Sequence, residues 1–165
     1  MRACRNRRTV GDLMSRYEEK VKAGAQRFLE PGEQVVAAVV AAPRGYTQAA
    51  AGSMQLGAAQ QGRATDAAAA AGLVLRAPMA LALTQQRLLT LNIGTPIGLG
   101  IGGKVKELLS AVPLADVQAI EVKRLALGYT ITVTVRGVAF KLEANAASGA
   151  KAFGEAFDTA RPLTA

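Results

Sequence analysis

The sequence of 165 residues contains no histidine, no tryptophan and a single cysteine, Cys4. Without histidine, the chain lacks the commonest general base and the commonest nitrogen ligand of protein-bound metals. One cysteine can form no internal disulfide, and alone it cannot anchor a zinc site. We therefore predict neither a metal site nor a disulfide, and we interpret Cys4 as a solvated thiol.

Aromatic residues make up only 4% of the chain, whereas hydrophobic residues make up 50%, so an aliphatic core is expected. The 12 acidic residues are spread along the chain. Asp116 and Glu121, five residues apart across a turn and a strand start, are a weak candidate for a carboxylate pair, and we interpret both as solvated surface acids. Because catalysis needs a nucleophile with a base, paired carboxylates or a metal, we predict no enzymatic activity, no catalytic residue and no cofactor.

Long apolar segments are also missing. The first thirty residues contain no apolar stretch of the kind that a signal peptide requires. The most lipophilic window, residues 67–84, consists largely of alanine and is interrupted by Arg76 and Pro78, so it falls short of a spanning helix. These features predict a cytoplasmic protein.

Positive charge is concentrated at the N-terminus. The net charge is +8, and residues 2–27 hold eight basic and three acidic residues. Residues 1–30 are predicted to form a basic arm and an amphipathic helix over 10–29, which Glu30-Pro31-Gly32 ends. The apolar stripe of this helix can pack on the chain's own domain, on a second copy, or on an anionic membrane.

The remainder of the chain is predicted to be mainly β. Period-two alternation, most evident where Ile131, Val133 and Val135 alternate with threonines, indicates antiparallel strands with one wet face. Segments with strand character cover residues 33–42, 79–84, 86–93, 107–112, 117–125, 129–136 and 138–144. Residues 146–161 are predicted to form a helix with Phe153 and Phe157 on one face. Residues 43–72, rich in alanine, glycine and glutamine, are interpreted as a low-complexity insertion or mobile loop without an assigned structure.

Residues 95–108, TPIGLGIGGKVKEL, imitate two nucleotide-binding patterns. Gly98, Gly100 and Gly103 spell GxGxxG, and with Lys104 they also spell GxxxxGK. A phosphate loop requires a hydroxyl where Val105 stands, and a dinucleotide site requires a strand–helix–strand unit. The segment KVKEL predicts at most a short helix before Pro113. We therefore predict no nucleotide site and interpret the glycines as a flexible loop between two strands.

From Glu33 onward, the order of elements resembles the bacterial pleckstrin-homology-like (PH-like) domain family. The resemblance rests on LALTQQRLLTL (81–91) and GKVKELLSAVPLADVQAIEVK (103–123), followed by a strongly alternating strand pair and a helix of the AxxFxxAF type. It implies a bent antiparallel seven-stranded barrel over residues 33–161, an α+β fold capped by the C-terminal helix. On this basis Phe153 and Phe157 would fill the core, and Arg87 would be a structural residue of the hairpin.

The resemblance implies a binding role, and we predict a non-catalytic scaffold module for protein–protein association, including self-association. The polar face of Thr130, Thr132 and Thr134 is a candidate surface for an added strand. The alternative is peripheral binding to an anionic membrane, at its inner face, through the basic helix and the glycine-rich loop. Nucleic acid ranks third, because no reader motif accompanies the positive charge. Candidate residues for a protein partner or an anionic surface are Arg5, Arg7, Arg8, Lys20, Lys22, Lys104 and Lys106.

Overall fold

The computed structural model describes residues 10–94, 104–146 and 148–161. The helices are α1 (Val10–Ala25), α2 (Tyr46–Ala50), α3 (Met54–Ala70) and α4 (Ala150–Ala160), and short 3₁₀ turns follow α1 and precede β5. The strands are β1 (Val35–Pro43), β2 (Met79–Thr84), β3 (Arg87–Ile93), β4 (Val105–Pro113), β5 (Val117–Leu125), β6 (Gly128–Val135) and β7 (Val138–Asn145). The predicted α+β class with seven strands is confirmed.

All strand pairs are antiparallel, and the sheet has the order β4-β3-β2-β1-β7-β6-β5. It is open, with β4 and β5 at its two edges, whereas the resemblance implied a barrel. The edge of β4 is flanked by the segment after α3 instead of by β5. There the Val74 N–H donates to Ser110 Oγ at 2.9 Å, and Arg76 pairs with Glu107 at 3.2 Å.

The sheet has two halves, β4-β3-β2-β1 and β7-β6-β5, which meet where β1 pairs with β7. The principal core lies between these halves and α4. Phe153 and Phe157 are each 1% exposed and pack with apolar side chains from both halves, including Leu81, Ile131 and Leu142. Their predicted role in filling the core is confirmed. Burial of a phenylalanine of this kind stabilises the fold by roughly 2 kcal/mol.

Helix α1 packs on its own chain. Val21 and Ala25 are buried in a second apolar cluster that includes Ala38, Leu89 and Leu91 of the first three strands. The helix approaches β4 closely at Gly24, where a Cβ would lie 2.7 Å from the Val105 Cβ. The sequence left three surfaces open for this helix: the chain's own domain, a second copy and an anionic membrane. In the structure the helix packs on the chain's own sheet.

The segment 43–72, to which no structure was assigned, contains α2 and α3. Alanine has the highest helix propensity, and its small side chain permits close packing. Ala64 and Ala68 of α3 are buried accordingly, and Ala68 belongs to the principal core. The insertion therefore contributes to the core despite its lack of large apolar residues.

A strand, and not the short helix that KVKEL allowed, follows the glycines: β4 begins at Val105 and includes the strand segment predicted over 107–112. Pairing with β3 determines this outcome: Ile93 lies opposite Val105, and the Gly94 N–H donates to the Lys104 carbonyl at 3.0 Å. The motif glycines, Gly98, Gly100 and Gly103, lie outside the described residues. The flanking elements are antiparallel strands, whereas both nucleotide patterns require a helix after the loop.

Candidate binding groove between α1 and β4

A groove of about 550 Å³ lies where the last turns of α1 meet the start of β4. Its lining consists of Lys20, Ala23, Gly24, Gln26, Arg27, Lys104 and Val105. The close approach at Gly24 sets the separation of helix and strand, because any side chain there would collide with Val105. The floor is thus built from small and aliphatic groups, and cationic side chains stand around it.

Two of the predicted cations meet at this groove. Lys20 projects from α1, Lys104 precedes β4, and both are exposed. Within residues 10–94, 104–146 and 148–161, neither ammonium group forms an ion pair with a carboxylate. Since each ammonium has three donors and no acceptor, the pair is suited to a carboxylate or phosphate ligand.

Lys22 and Lys106 do not line the groove. Lys22 is paired with Glu18 at 2.9 Å, one turn back on α1. The Lys106 side chain lies over Gly94, where a Cβ would be 2.7 Å from Lys106 Cε. Arg5, Arg7 and Arg8 lie outside the described residues.

Arg27 is the groove residue that the sequence did not single out. Its Nη2 donates to the carbonyls of Val105 at 2.9 Å and Lys106 at 2.5 Å, and its guanidinium lies 4.7 Å from the centre of the Phe28 ring. These bonds join the 3₁₀ turn that follows α1 to the start of β4. Their sequence separation explains why no local pattern indicates them.

A buried ion pair between Glu33 and Arg87 of β3 holds the chain that precedes β1 against the sheet. Arg87 donates from Nε to Glu33 Oε1 at 3.0 Å and from Nη2 to Oε2 at 2.5 Å, and Thr84 Oγ donates to Oε1 at 2.6 Å. The bond from Arg87 is the main reason that the pKa of Glu33 is lowered from 4.5 to about 2. Arg87 also contacts the Phe28 carbonyl at 3.3 Å and Glu30 at 3.1 Å, so its guanidinium is occupied by structural partners.

The threonine face of β6 is flanked by strands on both sides. Thr132 lies between Glu121 of β5 and Lys141 of β7. An added strand therefore cannot pair with β6, contrary to one use suggested for this face, and in this half of the sheet only β5 presents an edge.

Among the described residues, no group of three or more acidic, cysteine or histidine side chains is placed to hold a metal. No helix in the described part of the chain is both long and apolar enough to cross a membrane. Comparison of the sequence with protein-family models and with curated proteins finds no match.

Proposed function

We propose that this chain is a cytoplasmic, non-catalytic binding module of PH-like architecture that associates with another protein through the α1–β4 groove. The PH-like assignment is supported by seven antiparallel strands followed by a helix that places Phe153 and Phe157 in the core. The binding role rests on one observation: two ammonium groups that form no ion pair with a described carboxylate lie beside an apolar floor. A second copy of the chain is one partner that the proposal admits.

The shape and chemistry of the groove favour a protein segment that carries both a carboxylate and an apolar side chain. Ala23, Gly24 and Val105 offer apolar surface inside a concavity, while Lys20 and Lys104 offer charge beside it. A concave site of this kind can enclose an apolar side chain of a protein partner. A flat lipid surface has no such side chain to insert. Because exposed charge pairs contribute only up to about 1 kcal/mol each, the apolar contact must provide much of the affinity.

The test is a selection of displayed peptides on the full chain. We expect the selected peptides to combine acidic and apolar residues, and to bind the variant Lys20→Glu/Lys104→Glu roughly tenfold more weakly. The control Lys123→Glu/Arg124→Glu changes the net charge equally at exposed positions of β5 and should bind as the wild type does. Equal binding to all three proteins would contradict the proposed site.

Binding to an anionic membrane is the second candidate, because the same two exposed lysines follow a sequence arm that contains Arg5, Arg7 and Arg8. Cosedimentation with phosphatidylglycerol vesicles tests it. Membrane binding is favoured if the protein sediments at low salt, is released by about 0.3 M salt, and is released when the three arm arginines are replaced by glutamine. Failure to sediment at low salt would remove this candidate and leave the protein partner.

A further inference from the structure

A second groove, of about 400 Å³, lies between α3, β7 and the end of β1. Its charged members are Arg44, Arg63 and Lys141, all exposed and each supplied by a different element. The remaining lining consists of Gln60, Ala64, Ala67, Ala139 and Phe140. None of these residues belongs to the α1–β4 groove, and none was singled out as a site residue in the sequence.

The register of the sheet places two of the cations side by side. Pro43 of β1 lies opposite Leu142 of β7, and the Arg44 N–H continues the ladder by donating to the Lys141 carbonyl at 3.1 Å. Like charges directly opposite each other on adjacent strands are destabilising. An anion bound between Arg44 and Lys141 would convert this repulsion into two attractive contacts.

Close packing of glycines brings the third cation to the same groove. A Cβ at Gly45 would lie 2.5 Å from the Gly57 carbonyl oxygen and 2.7 Å from Gln60 Cβ, so α3 approaches the end of β1 at van der Waals contact. Gly45 has a φ of 97°, which glycine adopts readily. Arg63 follows Gln60 by three residues, and positions three apart lie on the same helix face.

No described carboxylate neutralises the three groups. None of the ion pairs among residues 10–94, 104–146 and 148–161 includes Arg44, Arg63 or Lys141. Glu143, the acid closest to them on β7, accepts instead from the Gly45 N–H at 3.2 Å and from the Thr47 N–H. None of the three cations is therefore held in an ion pair within the part of the chain that the structure describes.

We propose that this groove binds a multiply charged phosphate ligand, either a soluble polyphosphate compound or the phosphomonoester headgroup of a lipid. Two guanidinium forks and one ammonium match the geometry and the multiple charge of such a ligand. The groove has no exposed aromatic ring to stack a base, because Phe140 is 3% exposed. Recognition is therefore of the phosphates alone.

Titration calorimetry with tripolyphosphate at physiological ionic strength tests the proposal. We expect the triple variant Arg44→Gln/Arg63→Gln/Lys141→Gln to bind roughly 1,000-fold more weakly, since three charged side chains are removed and a hydrogen bond to each is typically equivalent to about tenfold in affinity. The matched control Lys123→Gln/Arg124→Gln/Lys151→Gln removes three exposed charges outside the groove. Its affinity should fall by less than about threefold, since only long-range attraction is lost.

Further measurements distinguish a lipid headgroup from a soluble ligand, and this groove from the α1–β4 groove. Binding of phosphatidic-acid vesicles, in preference to phosphatidylglycerol vesicles and in competition with tripolyphosphate, indicates a headgroup. Binding of tripolyphosphate alone indicates a soluble ligand. The variant Lys20→Glu/Lys104→Glu should retain tripolyphosphate binding, so this proposal can fail or succeed independently of the proposed function. Absence of binding by the wild type, equal loss in the control, or equally tight binding of poly-glutamate overturns it.

Discussion

Replacing Glu33 with glutamine tests how the N-terminal segment is held to the sheet. The Glu33 side chain is 0% exposed and accepts hydrogen bonds from two nitrogens of Arg87 and from the Thr84 hydroxyl. Glutamine preserves the shape of the side chain but removes its charge. The variant therefore leaves the partly buried Arg87 guanidinium opposite a neutral amide.

The magnitude follows from the pKa of Glu33. A folded-state pKa of about 2, against 4.5 for the free group, corresponds to about 3 kcal/mol of stability at neutral pH. Breaking a buried ion pair by removing one partner typically costs about 3–5 kcal/mol, in agreement. Because the folded-state pKa is the lower one, this stability is present above about pH 4.5 and is lost as the pH falls through about 2.

Urea unfolding followed by circular dichroism measures the effect. We expect Glu33→Gln to lower the free energy of unfolding by about 3 kcal/mol at pH 7. At pH 3 the difference in free energy of unfolding between wild type and variant should be smaller by about 2 kcal/mol. Glu30→Gln is the control, because Glu30 contacts the same guanidinium with a side chain that is 60% exposed. That control should cost less than about 1 kcal/mol. A loss at Glu33 that is equally small, or one that does not change with pH, would refute the reasoning.

Three further predictions concern packing, and urea unfolding at pH 7 checks each. Phe157→Ala should cost about 3–5 kcal/mol by leaving a cavity in the principal core; a loss below 1 kcal/mol would contradict the role of α4. Gly24→Ala should destabilise by about 1–3 kcal/mol despite alanine's higher helix propensity, because the new Cβ would lie 2.7 Å from the Val105 Cβ. Gly62→Ala, on α3 with nothing within 4 Å of the added Cβ, should instead stabilise by about 0.5–1 kcal/mol. If Gly24→Ala stabilises the protein as Gly62→Ala does, the close contact at Gly24 is not a constraint.

The strands were the most predictable part of this fold, because apolar runs and period-two alternation both indicate their extent. β2 and β5 occupy the predicted residues 79–84 and 117–125. In contrast, α3 was not predicted, since alanine and glycine produce no hydrophobic periodicity for a helix to display. β4 was ambiguous because its first residues, VKEL, suit a helix turn as well as a strand, and pairing with β3 makes them a strand.

The candidate sites were less predictable, because each depends on contacts between residues distant in sequence. Lys20 and Lys104 were both named, but only the fold brings them to one groove. The pair of Glu33 with Arg87 spans 54 residues, and Arg27 reaches Val105 across 78. The resemblance implied a structural role for Arg87, but nothing local indicated its partner Glu33 or the contacts of Arg27, since a lone Glu or Arg is ordinarily a solvated surface residue.

The two halves of the sheet share only a short ladder, in which β1 pairs with β7 at Ala42 and Pro43. Proline has no N–H to donate, so few main-chain bonds cross this junction, and the halves are coupled chiefly through side chains of the common core. Local opening of the sheet would therefore concentrate at this junction. Arg44 and Lys141 lie at the end of the junction, so an anion bound to both would hold the two halves together. Its binding would slow amide exchange in both halves.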